Sequence, residues 1–225
     1  MNLLNFLIFF VILLVPLHGQ IKPDMDKSFL VFSGGGATFN GSEYLTENWG
    51  LGYNFSMEVG YSFSPLFSLT FFQIQYSRFG LDKEKFLGNY HADIINADIH
   101  GWDVHSLGFW SKMNFKFFEK PESFFPYLWL GFGFMGLTRE QGTITGKDTI
   151  LTLYSSTVIY LSLDAGIGVQ YYLSDHLSIN ISASYIGGTG FMPPEYIRDV
   201  SYCTLNMGIL VYPGKVCILP SIPGL

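Results

Sequence analysis

The chain has 225 residues, of which 18% are aromatic and only 13% charged, with a formal net charge of −6. A water-facing surface normally carries more Lys, Arg, Glu and Asp than this, so part of the surface is expected to face something other than water. Lys and Arg are outnumbered by Asp and Glu and are not clustered, which excludes a phosphate-backbone partner, and no nucleic acid is expected.

Residues 1–19 contain no Asp, Glu, Lys or Arg, and an apolar run from Phe6 to Leu17 precedes His18 and Gly19. That run is shorter than the ~20 residues needed to cross a bilayer as a helix. It reads as a secretory signal peptide, 1–19, cleaved after Gly19 to leave Gln20. No cysteine lies near that point, so lipid attachment is not expected. No linker or composition shift divides the rest, and 20–212 reads as one domain, followed by a tail, 213–225, that holds three prolines. Cys203 and Cys217 are the two cysteines; they read as free thiols, and with scattered histidines they offer no metal site.

After residue 19 no apolar run reaches helical spanning length, so a membrane span would have to be built of strands. A first strand is expected within Ser28 to Phe39, without a clear assignment of faces. Phe55, Met57, Val59, Tyr61 and Phe63 then alternate with Asn54, Ser56, Glu58, Gly60 and Ser62, the period of a strand with one apolar face. Phe67 to Tyr76 changes phase at Phe71 and Phe72, which predicts a β-bulge. Leu107, Phe109, Met113, Phe115 and Phe117 form a stripe opposite Gly108, Lys112, Asn114 and Lys116, and Phe125 to Thr138 is a strand with unassigned faces. Three more runs alternate cleanly: Ile159 to Tyr171, Leu177 to Tyr185, and Cys203 to Val211. The total is about eight.

Tight turns at Ser64, Pro65 and Leu66, at residues 119–123 around Pro121, and at Ser174, Asp175 and His176 alternate with long connections at 40–51, 81–102, 141–157 and 187–199. Short periplasmic turns alternating with long extracellular loops characterise outer-membrane barrels, with both termini on the periplasmic side. Phe63, Phe67, Phe117, Phe118, Phe124, Phe125, Tyr171 and Tyr172 bracket the short turns and are expected to form an interfacial girdle. A soluble lipocalin-like ligand-binding barrel shares the period but points its apolar face inward. Here the polar face is mostly Ser, Asn, Gly, Gln and Thr, residues small enough to fill a narrow lumen, so the large apolar face is assigned to lipid. Glu58, Lys112, Lys116 and Asp164 then fall inside as an ionic cluster with a structural role, because a Lys facing lipid at mid-bilayer costs ~2–4 kcal/mol. An eight-stranded interior is filled by side chains, and no wide channel is expected.

From about Lys27 to Tyr212 the chain resembles the superfamily of outer-membrane β-barrels, in particular small barrels of the OmpA transmembrane-domain and OmpX kind. The likeness rests on this pattern and on Phe32-Ser33-Gly34-Gly35-Gly36-Ala37-Thr38-Phe39, Pro126-Tyr127 and Tyr171-Tyr172-Leu173-Ser174. It implies an all-β, antiparallel up-and-down transmembrane barrel in contact with outer-membrane lipid. It also implies recognition by the barrel-assembly machinery through a terminal strand, here Asn206 to Tyr212, with Tyr212 one position off the usual phase. Members of such families differ in task, so the fold does not transfer a function.

The enzymatic alternative is a lipid A-modifying hydrolase, for which two residue sets come into question. His176-Leu177-Ser178 lies at a short turn with no acid beside it; Asp103, His105 and Ser106 sit at the outer end of a strand. Gly34, Gly35 and Gly36 lack the Lys-Ser/Thr and helix of a phosphate loop and read as relief of crowding in a strand. The Asn-x-Ser triplets at Asn40, Asn54 and Asn180 read as chance. The expectation is a non-enzymatic barrel without cofactor, in an envelope-structural role or meeting an extracellular ligand through its long loops.

Overall fold

The computed structural model describes residues 27–41, 43–89, 98–117, 124–146, 150–174, 176–191 and 198–213. The signal segment, Phe118, Pro121, Asp175, Cys217 and the rest of the tail after Pro213 lie outside the described residues. Eight strands form the wall: β1 (Lys27–Phe39), β2 (Gly52–Ser62), β3 (Phe67–Phe79), β5 (Val104–Lys116), β6 (Phe124–Arg139), β9 (Ser156–Ser174), β10 (Leu177–Gly190) and β11 (Asp199–Val211). Each wall strand pairs antiparallel with its sequence neighbour in the wall, and β1 pairs with β11 from Leu30↔Val211 to Phe39↔Tyr202, closing the barrel. Closure leaves no wall strand with an open edge, so backbone groups are paired within the wall, as a lipid environment demands.

The side-chain period sorts the strands into two faces. On β2, Asn54, Ser56 and Ser62 are buried while Phe55 and Met57 are exposed. On β9, Ser162, Asp164 and Gln170 face inward, with Ile159, Leu161, Leu163 and Ile167 outside. The polar face is therefore the inside of the barrel.

β1 and β6 obey the same period but bury apolar groups, which is why their faces could not be read from the sequence. Phe29, Val31, Ala37 and Phe39 of β1, and Phe125, Trp129, Met135 and Leu137 of β6, all point inward, opposite outward-facing Phe32 and Leu130, Phe132 and Phe134. The same period corrects the girdle. Consecutive residues of a strand face opposite ways, so one of each pair Phe124-Phe125 and Tyr171-Tyr172 must turn inward, and Phe125 and Tyr172 are the two that are buried. Tyr61, Phe63, Phe67 and Phe115 remain outside as a run of rings with successive centroids 5.1, 6.0 and 5.4 Å apart.

The bulge falls at Phe71 and Phe72: the β3–β5 register jumps from Thr70↔Lys112 to Gln73↔Trp110, and both phenylalanines face outward. An extra residue leaves a strand carbonyl without its ladder partner. Ser111, an outward-facing polar residue on β5, donates its hydroxyl to the Phe71 carbonyl at 2.7 Å.

Inside, glycines make room for rings. A Cβ on Gly108 would lie 1.6 Å from the Trp110 ring, and one on Gly166 2.3 Å from the Trp129 ring. Gly35 instead lies against backbone, where a Cβ would meet the Leu205 carbonyl oxygen at 1.9 Å.

Three of the long connections carry secondary structure of their own. The first carries α1 (Glu43–Asn48) and the second α2 (Lys83–Asn89) and β4 (Asp98–Gly101). The third carries β7 (Gly142–Thr145) and β8 (Ile150–Leu153). β4, β7 and β8 pair as a separate antiparallel sheet that joins the second and third loops. β9 starts at Ser156 and β10 runs on to Gly190, so the third loop ends a little earlier and the fourth begins later than read from the sequence. Asp82 caps α2: its carboxylate accepts the Lys85 backbone N–H at 3.2 Å and pairs with the Lys85 ammonium, and both interactions hold its pKa below the ordinary carboxylate range.

Candidate functional site

The interior is built in three layers. At the short-turn end, Phe29, Val31, Phe125, Tyr172, Leu210 and Tyr212 form a small apolar cluster. Tyr212 faces inward, which accounts for its shifted phase: its ring stacks on Tyr172, the two hydroxyls meet at 2.9 Å, and Gln170 donates to the Tyr212 hydroxyl at 3.0 Å. Lys116 belongs to this layer, with Nζ 3.4 Å from the Tyr172 hydroxyl and 5.6 Å from the centre of the Phe125 ring.

The middle layer is polar. Lys112 Nζ lies 3.2 Å from Glu58 Oε1 and 3.0 Å from Asp164 Oδ2, the second contact being off the line of an ideal hydrogen bond. The Lys112 and Asp164 side chains are only 5% and 1% exposed, so this pair is held away from bulk solvent. Trp129 donates its indole N–H to Asp164 Oδ1 at 3.2 Å and offers its ring to the Lys112 ammonium at 5.1 Å. Thr70 reaches Glu58 Oε2 at 3.5 Å and accepts from Asn114 at 3.1 Å. Of the four charged residues read from the sequence, Glu58, Lys112 and Asp164 come together and Lys116 does not. Four residues along a strand is ~13 Å, beyond reach of the same carboxylates. Thr70 and Trp129 were missed, because a lone threonine and a tryptophan carry no ionic signature. The space around this network is small, with a cavity volume of about 40 Å³ bordered by Ser33, Gln73, Asn180 and Asn206. At ~10–15 Å³ for each water, it has room for a few molecules and is no wide channel.

The third layer closes the long-loop end. Phe39, Phe79, Trp110, Met135, Tyr160 and Tyr202 come from the wall; Leu45, Trp49, Phe86, Ile99, Trp102 and Ile144 come down from the loops. Trp49 donates its indole N–H to the Trp102 carbonyl at 3.0 Å, and the Phe86 and Trp102 rings meet edge-on at 4.8 Å. Trp102 has φ +74°, in the left-handed region where non-glycine residues are uncommon. Arg139 lies over the Trp102 ring at 4.8 Å and donates to the Tyr44 hydroxyl at 3.0 Å.

Neither hydrolytic set assembles. His105 and Ser106 are neighbours on β5 and therefore face opposite ways. Ser106 is buried against the Tyr202 hydroxyl at 3.2 Å. His105 sits on the outer rim between the Tyr76 hydroxyl, 2.5 Å from Nδ1, and Glu140 Oε1, 2.6 Å from Nε2. Asp103 instead pairs with Arg78 at 2.6 Å and accepts the Leu81 N–H at 3.2 Å. At the opposite end, Ser178 accepts from Gln170 inside the barrel at 2.8 Å. His176 pins the last strand, accepting the Tyr212 N–H on its carbonyl at 2.9 Å, with Nδ1 3.2 Å from the Tyr212 carbonyl.

No family model matches the sequence, and no curated protein matches it. Among solved structures the chain is similar to Neisserial surface protein A, with 16% identity, TM-score 0.48, 82% of this chain covered and 96% of that one. It is also similar to Ail, the attachment invasion locus protein of Yersinia pestis, with 16% identity, TM-score 0.45 and coverage of 83% and 99%. A third is a major outer membrane protein from Thermus thermophilus, with 11% identity, TM-score 0.48 and coverage of 82% and 98%. These are likenesses of general form, and nothing about this chain's role follows from them.

Proposed function

We propose that this protein is a non-enzymatic outer-membrane barrel: a closed wall in lipid that carries a folded loop cap as its surface for interaction outside the cell. The observation that carries this reading is the inverted barrel, polar inside and apolar outside. On β9 the outward residues Ile159, Leu161, Leu163, Ala165, Ile167 and Val169 alternate with inward Tyr160, Ser162, Asp164, Gly166 and Gly168, with Gln170 the next residue inside. Ten steps of ~3.3 Å on a strand tilted by ~40° rise about 25 Å, the height of the apolar band of an outer-membrane barrel. The external run Tyr61, Phe63, Phe67 and Phe115 supports an interfacial girdle at the short-turn end.

In this reading residues 1–19 are removed on export, the barrel-assembly machinery inserts 20–212, both termini are periplasmic, and the long loops face outward. Glu58, Lys112 and Asp164 act structurally, fixing the register of β2, β5 and β9 around a filled lumen, while Lys116 closes the periplasmic end. The small cavity and the apolar clusters at both ends support a barrel without steady conduction.

Membrane fractionation combined with heat-dependent migration tests the assignment. The protein is expected in the outer-membrane fraction, migrating differently before and after boiling. Recovery as a soluble protein with one mobility would overturn it.

A further inference from the structure

We propose that the polar layer of the lumen holds one small monovalent cation, of the sodium class, between Glu58, Gln73 and Asn206. The site lies inside the wall and stands apart from the role read for the loop cap.

The formal charges of this layer do not balance. Glu58 and Asp164 bring two carboxylates and Lys112 one ammonium, all three side chains largely shielded from solvent, which leaves one negative charge in excess. Lys116, the next cation inside the barrel, lies a level below and is engaged with the Tyr172 hydroxyl and the Phe125 ring. A buried charge without a counter-charge is costly. Lys112 reaches Glu58 through Oε1, whereas the hydrogen bond to Oε2, from Thr70, is long at 3.5 Å.

The same layer has a surplus of acceptor oxygens. Gln73, Asn180 and Asn206 are 2%, 7% and 8% exposed and border the cavity, and among the described residues nothing donates to the buried side-chain oxygen of any of them. Their amide nitrogens are engaged with Gln75, Tyr127 and Thr204 respectively, which turns each oxygen the other way. Gln73 is the register partner of Glu58, so the two side chains stand side by side on the inner face. Asn206, opposite Gly35 in register, leans over that glycine, its Oδ1 2.7 Å from where a Cβ would lie. A carboxylate beside neutral amide oxygens is the ligand chemistry of a hard cation. Water gives protons to such oxygens but leaves the extra charge unmatched. A single excess charge, with an ammonium already in the layer, favours a monovalent ion over a divalent one. The cavity of about 40 Å³ has room for such an ion with roughly one or two waters, at ~10–15 Å³ for each water. With apolar clusters at both ends of the barrel, the ion is resident rather than conducted.

Urea unfolding of the full chain, refolded in detergent, tests the site in sodium chloride against N-methylglucamine chloride at equal ionic strength, the second cation being too large for the cavity. Sodium is expected to raise the unfolding midpoint saturably, as a ligand of the folded state alone does. Glu58→Gln removes the excess charge and should raise the half-saturating sodium concentration roughly tenfold or more, while Gln73→Leu and Asn206→Leu should each raise it by a smaller factor. The wild-type comparison needs no variant to fold, and each variant is first checked for the wild-type urea transition in N-methylglucamine chloride. Equal wild-type midpoints in the two salts overturn the proposal, and a loss of stability in Asn206→Leu alongside them assigns the cavity to water only. An undiminished sodium response in Glu58→Gln, or in both Gln73→Leu and Asn206→Leu, places the ion elsewhere and also overturns it. Calcium chloride acting at lower concentration than sodium chloride overturns the assignment of a monovalent ion.

Discussion

The two ends of this barrel are closed in different ways. At the short-turn end all six buried apolar residues belong to the wall or to the residue directly after it, and Tyr172 and Tyr212 are tied to each other and to Gln170. At the long-loop end a third of the buried seal is imported: Leu45, Trp49, Phe86, Ile99, Trp102 and Ile144 are loop residues resting on a floor of wall side chains. The first closure cannot be altered without altering strand pairing. The second can be rebuilt loop by loop over an unchanged wall, which suits a scaffold whose specificity lies in its loops.

That contrast can be broken by mutation. The largest effect is expected in the polar layer shared by both ends: Lys112→Ala leaves Glu58 and Asp164 buried without their cation and should cost ~3–5 kcal/mol in denaturant unfolding of the folded barrel. Replacing all three at once, as Glu58→Gln, Lys112→Met and Asp164→Asn, should recover much of that loss. Phe125→Ala at the short-turn end should cost ~3 kcal/mol or more and lower the temperature at which the folded gel form is lost. Trp102→Ala should instead raise protease sensitivity of the loops while leaving that temperature nearly unchanged; an equal drop in both variants would erase the distinction between the ends. Ser111→Ala, which leaves the Phe71 carbonyl of the bulge unpaired, should cost about 1–3 kcal/mol. The smallest effect is expected for Asp82→Ala, seen as faster amide exchange in α2 alone. Because the Asp82 pKa is depressed in the folded chain, its contribution is present above the ordinary carboxylate pKa and fades as pH falls through the folded value.

What could be read from the sequence follows the same contrast. β2, β9, β10 and β11 declare themselves because much of their inner faces is polar, so a period of two is visible in composition. β1 and β6 were legible as strands but not as faces, since their inward residues belong to the apolar closures. The bulge at Phe71 and Phe72 shows as a break in phase. By contrast, the β4–β7–β8 sheet is made of four-residue strands brought together from two loops, too short for any periodic signal. The ionic layer was legible as residues and not as a network: charge on an inner face is visible, but strand register decides that Asp164 reaches Lys112 and that Lys116 lies a level away. Arg139 carried no signal, since one arginine at the end of an apolar strand acquires meaning only from α1 and Trp102 packed around it.

The sense of the barrel is tested most directly on two adjacent residues of β9. Spin labels at Leu163→Cys and Ser162→Cys, each in a chain with Cys203 and Cys217 replaced by Ala, are reconstituted in lipid vesicles and read for collision with oxygen and with a water-soluble nickel complex. The label at 163 is expected to be rich in oxygen collisions and poor in nickel collisions, and the label at 162 poor in both. Oxygen access at 162 with nickel access at 163 would mean that the apolar face is turned away from lipid, contradicting the account.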